Sequence, residues 1–151
     1  MRKRLAQATL AILIAGACGG PTSPSGSLSL SVGQWAGTTD QGAAISFEVS
    51  SAETLTSLSV AYSFNGCSGM QTYSNLNIST RPTVICIPGP CPPNTPSSRT
   101  FAFSDGTPGS SPVTMVNGLF ILGGRAQGIA SFRDYPGCGT ADRVAWTATR
   151  R

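Results

Sequence analysis

The chain has 151 residues, with 10 lysines and arginines against 6 acids and a formal net charge of +4. Three of the positive charges are Arg2, Lys3 and Arg4, and the seven arginines beyond them nearly balance the acids, so no clustered basic footprint of a nucleic-acid binder is present. Histidine is absent, and Lys3, the sole lysine, lies in the leader expected to be cleaved off, which leaves Ser-His-Asp, Cys-His and Schiff-base catalysis and imidazole metal sites without players.

Behind the basic start, Leu5 to Ala17 forms a 13-residue apolar run broken only by Gln7 and Thr9 and ending in small residues. That is the layout of a secretory signal peptide. The run falls short of the roughly 20 residues that a membrane-spanning helix needs. Ala15-Gly16-Ala17-Cys18 resembles the bacterial lipobox, with alanine at position 15 where leucine is usual. The resemblance implies cleavage before Cys18, acylation of its thiol and amine with palmitate-like chains, and a lipid anchor in the bacterial cell envelope. Gly19, where an aspartate would retain the protein at the inner membrane, implies the outer membrane in a two-membrane bacterium. Several acyl chains matter physically, because one chain holds a protein to a bilayer only marginally. Cleavage nearby by the ordinary signal peptidase would instead give a soluble exported protein.

The expected division is a signal peptide over residues 1–17, a lipidated cysteine and flexible tether over 18–32, and one β-domain over 33–151. Gly19 to Ser27 has nothing apolar to bury and reads as tether. Leu28 to Val32 alternates, as the end of the tether or as a first strand. From Gly33 onward the apolar period is two. Ile45, Phe47 and Val49 alternate with Ser46, Glu48 and Ser50, and Leu58, Val60, Tyr62 and Phe64 alternate with Ser59, Ala61 and Ser63. Alternation of this kind marks strands with one buried and one wetted face. Weaker strands are expected at Tyr73–Ser79, Thr83–Ile87, Arg99–Ser104, Val113–Leu122 and Ala126–Arg133. The last strand is clear, with Val144, Trp146 and Ala148 on one face. No helical period persists for three turns beyond the signal. Turn signals at Gln41-Gly42, Asn65-Gly66, Asp105-Gly106 and Gly123-Gly124 complete the pattern of an all-β domain. An antiparallel β-sandwich of about eight strands is expected, with a small β-barrel as the alternative, since both closures give the same alternation.

Gln34-Trp35-Ala36-Gly37-Thr38-Thr39, Ile45-Ser46-Phe47-Glu48-Val49 and Val144-Ala145-Trp146-Thr147-Ala148 are similar to runs in uncharacterised β-domains of exported bacterial proteins. That resemblance implies a fold and no activity. Gly33-Gln34-Trp35 resembles the Gly-x-Trp opening of lipocalins, although the long cavity-forming strands of that family are not evident in the sequence.

With Cys18 acylated, Cys67, Cys86, Cys91 and Cys138 remain, an even number that reads as two disulfides in an exported domain. Three connectivities are open. The short Cys86-Ile-Pro-Gly-Pro-Cys91 loop favours an 86–91 clip, which leaves 67–138 as the long-range bridge. A four-cysteine zinc site is the rival; Cys67 has no near partner for it, and no metal or other cofactor is expected. The six acids are isolated, which leaves a paired-carboxylate hydrolase as a weak third reading. Trp35 and Trp146 are expected in the core, on the first and last strands. Tyr135, in Arg133-Asp134-Tyr135-Pro136-Gly137, and Tyr73 are the candidate contact residues for a sugar ring or a protein surface. The function expected is thus that of a non-catalytic envelope lipoprotein with a membrane partner through its anchor and an envelope protein or glycan as ligand. The alternative is a small disulfide-bridged inhibitor of a lytic enzyme or protease that presents the Pro-rich 88–96 segment as a rigid wedge.

Overall fold

The computed structural model describes residues 31–83, 98–106 and 110–151. Nine strands run through them: β1 (Gly33–Thr39), β2 (Ala44–Val49), β3 (Thr54–Phe64), β4 (Cys67–Ser79), β5 (Arg81–Thr83), β6 (Ser98–Ser104), β7 (Val113–Ile121), β8 (Arg125–Tyr135) and β9 (Gly139–Arg150). All belong to one antiparallel sheet in the order β4-β3-β2-β1-β9-β8-β7-β6-β5. The domain is all-β and antiparallel, as expected. Its strands curl as one sheet around a shared core rather than stacking as two, which is the barrel-like of the two closures.

Thr80 alone separates β4 from β5, yet β4 pairs with β3 (Thr54↔Ser79) and β5 pairs with β6 (Arg81↔Thr100). Nine strands reversing at every turn would leave β1 and β9 parallel, whereas they are antiparallel, with Trp35 opposite Arg150. So β4 and β5 run in one direction and act as a single strand bent at Thr80. The layout is an eight-stranded up-and-down barrel, open along a seam where β4 faces β6 without a hydrogen-bonded ladder. Arg99 fixes the bend. Its Nε donates to Thr80 Oγ1 and its Nη2 to the Thr80 carbonyl, both at 2.8 Å, and its guanidinium meets the Glu53 carboxylate at 2.5 Å.

The period-two pattern decides what lies inside. Ile45, Phe47 and Val49 on β2, and Val144, Trp146 and Ala148 on β9, are buried as the sequence predicts. Trp35 and Trp146 are both in the core, and Phe47 stands between them with ring centroids 5.7 Å from each. Phe101 and Phe120 complete this layer, so side chains fill the interior. Gly118 and Gly128 lie opposite one another on β7 and β8. A Cβ would stand 2.1 Å from Phe101 at the first and 2.6 Å from Trp146 at the second, so both rings lie flat on bare backbone.

Four strands are longer than the alternation predicts, at 11 to 13 residues for β3, β4, β8 and β9, which corrects the impression that long strands are missing. The first half of β4 escapes pattern reading because its inward residues are Cys67, Gly69, Gln71 and Tyr73. Gly69 is required there, since a Cβ would lie 2.5 Å from the Tyr62 hydroxyl. Asn75, at φ 57°, then breaks the phase so that Leu76 and Ile78 turn inward. Of the expected strand at Thr83–Ile87 only Thr83 lies among the described residues, and all but the last two residues of Leu28–Val32 fall outside them.

Candidate functional site

The chain enters the barrel at one end, with β1, and the opposite end carries the turns after β1, β3 and β8. There the β3–β4 and β8–β9 hairpins rise past the shorter β1–β2 turn, and Cys67 is joined to Cys138 by a disulfide with a Cα–Cα distance of 5.8 Å. Asn65 Nδ2 donates to the Cys138 carbonyl at 2.8 Å beside it. This is the long-range bridge that the sequence favours. Cys18, Cys86 and Cys91 lie outside the described residues.

Two bulges shape the wall below the disulfide. Between Phe132 and Tyr135 the register shifts at Asp134 (φ 54°), and between Val144 and Ala141 it shifts at Arg143 (φ 60°). Strict alternation from Phe132 would send Tyr135 outward; the bulge sends it in. The candidate contact role for Tyr135 is therefore corrected: the residue is 6% exposed, and its ring packs on Tyr62, Phe64 and Phe132. Tyr73, the other candidate, is half-buried with its ring 4.5 Å from Phe103 across the seam.

The two tyrosines end in one hydrogen-bonded chain. Tyr73 Oη donates to Asp105 Oδ2 at 2.5 Å, and the Thr114 backbone N–H donates to Asp105 Oδ1 at 2.6 Å. Thr114 Oγ1 and Tyr135 Oη are bonded at 2.5 Å. Burial pushes both phenols above the usual tyrosine value, and for Tyr73 the accepting Asp105 carboxylate adds to the rise. A phenol shifted this way stays protonated and serves as a donor. Both carboxylate oxygens of Asp105 are already taken. The arrangement ties β4 to the β6–β7 connection and to β8, closing the seam where no ladder exists.

Glu53 is held by Arg99 at the Thr80 bend, and Asp142 pairs with Arg133 at 3.0 Å. No group of three His, Cys, Asp or Glu that could hold a metal occurs among the described residues.

A shallow groove of about 930 Å³ runs over the outside of the sheet, lined by Asn77, Arg81, Thr100, Asn117 and Ile129 among others. Its sequence signal is an apolar residue on an outward position, Ile129 on β8, which is 36% exposed. No known protein family matches the chain, and no curated protein or solved structure is significantly similar to it.

Proposed function

We propose that this chain is an exported, lipid-anchored envelope protein whose barrel is a binding or shielding module and not an enzyme. The observation that carries the reading is the disulfide between hairpin tips 71 residues apart in a chain that opens with a lipobox-like leader, because such a staple persists in an oxidising compartment. The self-satisfied tyrosine–aspartate chain supports the non-catalytic half, since its polar groups are spent on holding the seam. The outer groove, with amides at Asn77 and Asn117, a guanidinium at Arg81 and an apolar patch at Ile129, suits a glycan or an extended polypeptide.

Mass spectrometry of protein from the membrane fraction tests this. The expected product begins at Cys18, carries acyl chains and is lighter by two hydrogens for each disulfide. An unprocessed chain starting at Met1 with free thiols would sink the reading. Binding on a glycan array or in an envelope pull-down that is lost in Asn117→Ala would assign the groove; binding that survives would place the contact elsewhere.

A further inference from the structure

The side-chain charges divide between the two ends of the barrel. Around the disulfide stand Asp40, Asp105, Asp134 and Asp142 with only Arg133 and Arg143. The opposite half holds Arg81, Arg99, Arg125, Arg150 and Arg151 against Glu48 and Glu53. Arg99 is spent on Glu53. Arg81, Arg125, Arg150 and Arg151 are exposed and have no carboxylate partner among the described residues. Residues 84–97, which leave from this half, contain no charged residue in sequence. The side chains of this half thus carry a net positive charge, with Glu48 on the same stretch of surface as Arg151.

Two further features fall at that end. Leu122, in the turn between β7 and β8, is 55% exposed and is three residues from Arg125. The chain also enters the barrel here: Gly33 pairs with Val49, Trp35 Nε1 donates to the Ser31 carbonyl at 2.8 Å, and the Arg151 N–H donates to the Gln34 carbonyl at 2.9 Å.

We propose that the Arg125–Arg150–Arg151 end, with Leu122 at its tip, is a docking surface for an anionic phospholipid bilayer. The proposal rests on the anchoring reading only for the bilayer's closeness. On that reading the anchored residue lies 15 positions before the first strand, which begins at this end with Gly33. Each arginine held near an acidic bilayer contributes about 1 kcal/mol, or about fivefold in partitioning. Leu122 supplies what a purely ionic contact lacks, an apolar side chain to enter the interface. The acidic, disulfide-bearing end then faces away from the membrane.

The test uses the processed chain, residues 18–151 with Cys18→Ser, which retains every described residue and has no acyl chains. It should sediment with vesicles of 30% phosphatidylglycerol and not with pure phosphatidylcholine, and release as salt rises. R125Q/R150Q/R151Q should lower partitioning about a hundredfold, and L122S should lower it further. R133Q/R143Q removes two charges from the far end and should leave it unchanged. Equal binding to both vesicle types, or an equal loss in the far-end variant, would overturn the proposal. So would capture by dextran sulfate as strong as capture by vesicles and indifferent to L122S, which would put an acidic polymer in the bilayer's place. An unacylated Cys18 in cells would defeat the anchoring reading and leave these vesicle results standing, so the two failures are distinguishable.

Discussion

At the scale of single residues, the sites with least freedom are the glycines under the core rings. A Cβ at Gly128 would lie 1.9 Å from the Asn117 carbonyl oxygen as well as against Trp146, while nothing lies within 4 Å of one at Gly42. Gly128→Ala is therefore expected to destabilise by about 3 kcal/mol, the upper range of overpacking, and Gly42→Ala, strained only by its φ of 75°, by about 1 kcal/mol. Urea midpoints of the two variants check the ranking. Tyr135→Phe keeps the ring but leaves the Thr114 hydroxyl, which is fully buried, without its partner, and about 1–2 kcal/mol should be lost. The role of Tyr135 was not legible in the sequence. Counting by twos from Phe132 carries Asp134 inward and Tyr135 outward, and the bulge that reverses them hinges on one backbone angle at Asp134, a residue that tolerates the left-handed region but does not announce it.

At the scale of elements, the strands whose inner residues are apolar were readable and the others were not. β2 and β9 follow the rule with Ile45, Phe47, Val49 and Val144, Trp146, Ala148. β4 does not, because Gly69 makes room for the Tyr62 ring and Met70 points outward at 64% exposure. The joining of β4 to β5 also escaped reading, since Thr80 carries no turn signal; its bend comes from Arg99, 19 residues later in the chain. Arg99→Met removes the donors to Thr80 and an ion-pair partner of Glu53 and should cost about 2 kcal/mol. Loss should concentrate in faster amide exchange along β5 and the end of β4, measurable by mass spectrometry. The disulfide acts on a longer range. Closing 71 residues of chain restricts the unfolded state by about 4 kcal/mol in the chain-entropy model, and Cys67→Ser/Cys138→Ser should lower the urea unfolding free energy by that order.

At the scale of the whole molecule, stability should depend on pH through the two seam tyrosines. Both are less acidic folded than unfolded, so below the usual tyrosine value near 10 their contribution is fully present. Above it the unfolded chain releases protons that the folded chain retains, and stability falls as pH rises. Urea unfolding at pH 8, 9.5 and 10.5 should show a decline that begins near 10 and flattens in Tyr73→Phe/Tyr135→Phe. A decline of equal steepness in the double variant would assign the effect to other groups.

The pairing of β1 with β9 has a consequence for how the polypeptide matures. Trp35 meets Arg150 across that ladder, so the second partner of the first strand is made after the other seven strands between them. Hairpins among β2, β3 and β4 form from local contacts, but the ring of strands is incomplete until β9 is free to dock. Until β9 has been made, one edge of β1 has no strand to pair with.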